Sequence, residues 1–146
     1  YEDHDWRIGV HRLTGLQKLL SARGIYDDRL FHVGEMSRES GYELTRRAIE
    51  EDALAEAVLL GSDEVAQGAL EAMEEAGIRI PKDTAVIIYQ DIQTMESRWP
   101  SYTSIDMLPD YVWENALSLL LGRIGIKRTQ AVSLTVPTHL HIGDTA

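Results

Sequence analysis

Apolar positions along the chain change period several times, and the changes mark out alternating helices and strands. Ile8, Leu13, Leu16, Leu19 and Leu20 form a broad helical stripe, which predicts a helix over about 6–23 with Gly24 as its C′ stop. Leu30-Phe31-His32-Val33-Gly34 reads as a short strand. Ser37 or Ser40 can cap a helix over about 41–52, with Tyr42, Thr45, Ala48 and Ile49 facing inward. The continuous apolar run Ala57–Leu60 suits a strand buried on both faces. Ser62 is placed to cap the next helix, and Asp63 and Glu64 fill its first turn, where negative charge complements the helix dipole. Val65, Ala66, Ala69, Leu70, Met73 and Ala76 then repeat at helical spacing until Gly77. Pro81 and Asp83 make the turn into a strand over Thr84–Tyr89.

The remainder is less regular. Residues 1–5 are a polar connector, and 92–100 are irregular or a short helix. Tyr102–Met107 reads as a strand, and Pro109 starts a helix through about Leu121 that Gly122 and Gly125 break. Val112, Ala116, Leu119 and Leu120 are its apolar face. Ala131–Val136 reads as a last strand and Pro137 onward as an extended tail. Alternating helices and strands argue an α/β fold with a parallel sheet and, through right-handed crossovers, helices on both faces. Within it, 57–91 is one strand-helix-strand unit. Ser62 and Asp63 follow its first strand, and Gln90 and Asp91 its second. Open α/β sheets bind ligands outside the carboxyl ends of their strands, so this unit is expected to supply part of a small-molecule pocket.

Composition narrows the function classes. The 146 residues amount to about one domain. Twenty-four acidic against 14 basic residues give a net charge of −10, and such a surface repels the phosphates of nucleic acid. The absence of cysteine excludes disulfides and thiolate zinc sites and fits a reducing compartment. No apolar run approaches the ~20 residues of a membrane span, and no signal-peptide pattern opens the chain. An opening Tyr1 in place of Met leads us to expect a segment of something longer.

Chemistry-bearing motifs are scarce. The phosphate-binding G-x-x-x-x-G-K-[ST], the dinucleotide G-x-G-x-x-G, the G-x-S-x-G elbow and the metalloprotease H-E-x-x-H do not occur. His139 and His141 would share one face of a strand; they read either as two solvated imidazoles or as part of a metal site that lacks a recognisable third ligand. No carboxylate pair is placed for acid/base work, so neither an enzyme nor a cofactor is expected. Arg12 on the first helix is either a solvated surface charge or a ligand contact. Met36, just past a strand end, is either a core filler or a ligand contact. Capping alone accounts for Ser62 and Asp63, and is compatible with binding.

Six short segments, in order and at matching spacing, resemble the effector-binding core of the lactose-repressor/galactose-repressor family of bacterial transcription regulators. Arg12-x-x-Gly15 resembles the family's R-x-x-G, and Ser40-Gly41-Tyr42 its S-G-[FY]. Ser62-Asp63-x-x-Ala66-x-Gly68-Ala69 is similar to [NS]-D-x-x-A-x-G-A. Gly77-Ile78-x-Ile80-Pro81-x-Asp83-x-Ala85-Val86-Ile87 is similar to G-I-x-I-P-x-D-[VI]-A-V-I. Tyr89-Gln90-Asp91-Ile92 stands where the family has [FY]-D-[DN]-[IT], and Pro100–Ile105 resembles P-x-L-T-[TS]-I.

The resemblance implies a Rossmann-like lobe of the two-lobed periplasmic-binding-protein-like type I fold. The C-terminal lobe would comprise about 6–106 and 137–146, while about 107–136 crosses back to an N-terminal lobe. It also implies a helix-turn-helix domain upstream. Arg12, Met36, Ser62, Asp63, Gln90 and Met107 would line the cleft or support it, with the guanidinium bonding sugar hydroxyls and apolar side chains covering the sugar's C–H face. Two departures, Gln90 for the family's usual Asp and Met36 for a frequent aromatic, bear on which sugar is chosen. The implied partners are a sugar or glycoside, operator DNA through the upstream domain, and a second copy in a cytoplasmic homodimer, with no membrane, metal or cofactor. Without the first lobe, the apolar face of helix 109–121 is expected to drive self-association. The competing expectations are a periplasmic sugar-binding protein of an uptake system and a small α/β enzyme such as a sugar isomerase or hydrolase.

Overall fold

A computed structural model describes residues 6–89, 101–126 and 131–146. The expectations for 1–5, for Gln90 and Asp91 and for 92–100 lie outside the described residues. Helix α1 spans Trp6–Ala22, and a 3-10 turn covers Asp28–Leu30. Helix α2 (Arg38–Glu50) precedes strand β1 (Ala57–Leu60), helix α3 (Asp63–Glu75) and strand β2 (Ala85–Tyr89). Strand β3 (Thr103–Asp106), helix α4 (Pro109–Ile126) and strand β4 (His139–His141) complete the order.

Helix ends fall where side chains or glycine can satisfy the orphaned backbone groups. Ser37 and Ser62 are the N-caps of α2 and α3, their hydroxyls accepting from the N–H of Ser40 at 3.1 Å and of Val65 at 3.3 Å. Past α1, the N–H of Gly24 bonds the Ser21 carbonyl and that of Ile25 the Leu20 carbonyl, with Gly24 at φ +69°. Gly77 and Ile78 repeat the pattern past α3 through Glu74 and Met73. This is the Schellman stop, and it needs a left-handed residue. Past α2 the left-handed position falls to Asp52, at φ 52°.

The sheet order is β1-β2-β3-β4. β1 and β2 are parallel from Ala57 beside Ala85, and β2 and β3 from Ile87 beside Thr103. Alternation along β2 sends Val86 and Ile88 to one face and Ile87 and Tyr89 to the other. On the first face Val86 and Ile88 join Leu60, Ala66, Ala69, Met73, Ile80 and Tyr102 in the core, so α3 covers that side. Complete burial of Met73, Val86 and Ile88 stabilises the fold by about 1.5–3 kcal/mol each relative to exposure.

Helix α2 lies along α3. Arg38 pairs with Glu71 at 2.8 Å and the Tyr42 hydroxyl donates to Glu75 at 2.6 Å, so both helices run the same way. Their amino ends therefore share the edge where β1 ends. Glycines permit this approach: a Cβ on Gly41 would lie 2.2 Å from the Val65 carbonyl oxygen.

Near the opposite edge, the second-last residue closes the sheet. Thr145 is fully buried; its hydroxyl donates to the Val86 carbonyl at 2.8 Å and accepts from the Thr103 N–H at 3.0 Å. Its own carbonyl accepts from the Val86 N–H at 2.7 Å.

Four expectations are corrected. Residues 30–34 form no strand: after the 3-10 turn, which Asp27 caps through the Arg29 N–H, 31–35 run without a ladder, and Leu30 and Val33 remain exposed. Gly122 does not break α4, which continues through Gly125 to Ile126, because a mid-helix glycine costs only about 1 kcal/mol relative to alanine. Residues 131–136 have strand-like composition but no partner and form no strand. The supposed tail supplies β4 instead, antiparallel to β3 with Ser104 beside His141, so the sheet is mostly rather than wholly parallel. Among the described residues, no helix is long and apolar enough to cross a membrane.

Helix α4 is apolar around much of its circumference, the pattern of a helix enclosed on several sides. Here Trp113 is 73% exposed and Ile124 70%, with Tyr111, Leu117, Leu120 and Leu121 also exposed.

Candidate functional site

The carboxyl ends of β1, β2 and β3 lie side by side, since Leu60 stands beside Ile88 and Tyr89 beside Ile105. That edge collects Gly61, Ser62 and Asp63 after β1, Tyr89 at the end of β2, and Asp106 and Met107 at the end of β3. Met36 joins them from the loop before Ser37, because α2 and α3 have their amino ends at this edge. Five of the six expected site residues thus belong to one edge or reach it. Gln90 lies outside the described residues.

Arg12 reaches the edge from α1. Its guanidinium carbon lies 3.8 Å from the centroid of the Tyr89 ring, and Nη1 donates to the Gly61 carbonyl at 3.4 Å. Tyr89 is on the sheet face opposite α3, so Arg12 reaches the sheet end from that second face. Arg12 is half-buried and bridges the ends of two strands.

The other positions divide by burial. Ser62 is buried and its hydroxyl is engaged as the α3 cap, while Asp63, the first residue of that helix, is half-buried. Met36 is 47% exposed and Met107 37%, so neither is a core filler in this chain. Asp106 orders the exit from the edge: its carboxylate accepts from the Leu108 N–H at 2.7 Å, just before α4. Leu108 itself adopts φ 50°. Tyr89 and Gly61 were not singled out as site residues from sequence. The stack over Tyr89 joins residues 77 positions apart, and strand-end tyrosines have no spacing signal of their own.

His141 takes part elsewhere, its Nε2 lying 3.1 Å from Ser101 Oγ. Among the described residues, no three His, Cys, Asp or Glu side chains are grouped as a metal would require.

This edge can present a planar cation and a carboxylate between flexible apolar side chains. That combination takes paired hydroxyls and covers C–H surface.

Comparison with known proteins identifies relatives of the chain. The periplasmic binding protein-like domain matches residues 2–146. The HTH-type transcriptional regulator CelR of Thermobifida fusca is 32% identical over 139 residues, 94% of this chain and 41% of that relative. The chain therefore spans about two fifths of the relative's length. Among solved structures, the transcriptional regulator CelR–cellobiose complex superposes with a TM-score of 0.82 at 30% identity, covering 94% of this chain and 42% of that one. A LacI family transcriptional regulator from Enterococcus faecium with bound ribose superposes with a TM-score of 0.79 at 28% identity, covering 92% and 50%. The chain belongs to the periplasmic binding protein-like domain family.

Proposed function

We propose that this chain is the effector-sensing part of a sugar-responsive bacterial transcription regulator. The observation that carries the reading is Arg12, held across the ends of β1 and β2 at the edge that gathers Asp63 and Met107. A guanidinium has five N–H donors, and the Gly61 carbonyl takes one. Related proteins solved with cellobiose and with ribose support a sugar as the ligand class. Relatives named as transcriptional regulators and repressors favour regulation over uptake and over catalysis.

In this reading Arg12, Met36, Ser62, Asp63, Gln90 and Met107 line or support one wall of an interlobe cleft. Residues 6–106 and 137–146 form that lobe, and 107–136 cross to the other. The exposed apolar surface of α4 supports the crossing, because such a helix is stable when covered. Sugar then favours one lobe arrangement over another, and a cytoplasmic dimer passes the bias to helix-turn-helix domains on operator DNA.

The test is operator affinity of the intact protein across a sugar panel that includes cellobiose and ribose. One sugar should change that affinity by about fivefold or more, and Arg12→Ala should remove the change while the fold persists. An operator affinity indifferent to every sugar overturns the proposal.

A further inference from the structure

We infer that Tyr89 is the positioning residue for Arg12, holding the guanidinium by its face so that its edge stays available to ligand; this rests on the sugar-sensing reading above. An arginine anchored by a carboxylate spends two in-plane N–H groups on the fork. A ring face engages the cation through its quadrupole and uses no hydrogen-bond donor. In this chain the guanidinium carbon lies 3.8 Å from the Tyr89 centroid, and the one hydrogen bond to a described residue, from Nη1 to Gly61, is long at 3.4 Å. That bond sets one corner of the group and the ring sets its plane. Tyr89 is itself fixed as the last residue of β2, paired with Ile105 of β3. The three participants come from α1, the turn after β1 and the end of β2, so the guanidinium is oriented by the sheet rather than by its own flexible stem. Lysine could not replace Arg12 here, having neither a planar face nor a fork.

Two measurements test this. In the 146-residue chain, the ring current of Tyr89 should move the Arg12 guanidinium protons to lower frequency in ¹H–¹⁵N spectra. Tyr89→Phe should keep the shift and Tyr89→Leu should abolish it with circular dichroism unchanged. An Arg12 signal that is the same in wild type and Tyr89→Leu overturns the stack whatever the ligand. In the intact protein, the sugar active in the cellobiose- and ribose-containing panel should bind about tenfold more weakly to Tyr89→Leu. Tyr89→Phe should bind within about twofold of wild type. Equal binding by Tyr89→Leu, or equal loss in both variants, overturns positioning by the ring face. A wild-type spectral shift with no response to any sugar overturns the functional reading and the role of Tyr89 in it, while leaving the stack in place.

Discussion

Gly68 of α3 sits so close to Arg38 of α2 that a Cβ added to it would lie 1.8 Å from the Arg38 carbonyl oxygen. The obstacle is backbone and cannot swing aside. Gly68→Ala should therefore destabilise the chain by about 1–3 kcal/mol through overpacking, despite the better helix propensity of alanine. Gly15 in α1 has nothing within 4 Å of its added Cβ. Gly15→Ala should stabilise by up to about 1 kcal/mol. Urea midpoints of the two variants at constant slope check the opposite signs.

Thr145 lends its hydroxyl to two strands at once. Thr145→Val keeps the shape but leaves the Thr103 N–H without its acceptor and removes the donor to the Val86 carbonyl. The expected cost is about 1–3 kcal/mol, with Thr145→Ser losing less. Equilibrium denaturation of the two variants distinguishes the lost hydrogen bonds from the lost methyl.

Asp83 gives a pH signature. The Arg79 guanidinium bonds its carboxylate, the Arg79 N–H donates to it at 2.9 Å, and together they hold its pKa down from the ordinary 3.8 to about 2. A depressed folded-state value contributes stability that is complete above 3.8, fades as pH falls toward 2 and is gone below. Asp83→Asn should thus be less stable than wild type at neutral pH. The gap should close between about pH 4 and 2 and narrow with salt, because the pair is exposed. Thermal unfolding of both proteins across that range measures it.

The uncovered surface of α4 should make the chain associate. Sedimentation velocity at concentrations on the order of tens of micromolar should show species heavier than the 16.4 kDa monomer. Joint replacement of Trp113 and Leu120 by Glu should return it to monomer. A wild-type monomer throughout that range would remove the expectation.

What could be read from the chain follows from how local each signal is. Ser37, Ser62, Gly24, Gly77 and Pro109 act within one helical turn, and the helix boundaries they predict agree with the structure to within a few residues. The strands Ala57–Leu60 and Ala85–Tyr89 were legible as continuous apolar runs, but Ala57–Leu60 is an edge strand with Leu59 43% exposed, not the strand buried on both faces that its run suggested. Residues 30–34, 131–136 and 139–141 were misread because a strand is defined by its neighbour, which local composition does not contain. Val132, Thr135 and Val136 have the better strand chemistry, yet His139–His141 has the partner. At the proposed site, Arg12, Ser62 and Asp63 were singled out through their spacing within motifs. Their roles divided only in three dimensions: Ser62 spends its hydroxyl on a cap, and Arg12 rests on Tyr89. Gly41 and Gly68, conspicuous in the same motifs, serve the contact between α2 and α3.

The antiparallel pairing of β3 with β4 also decides how the sheet yields to force. The segment 107–138 leaves from Asp106 and returns at His139, and those two residues are directly paired. Tension drawing the two ends of that segment apart loads one ladder rung at a time, in a peeling geometry, beginning with Asp106 and His139 and moving through Ile105 and Leu140 to Ser104 and His141. Peeling then meets successive stops: the Gly143 N–H on the Thr103 hydroxyl, the Asp144 N–H on the Ser101 carbonyl, and Thr145 locked into β2. Resistance rises from an exposed, compliant mouth to a buried latch, so the segment can be displaced at its root while the sheet beneath remains intact.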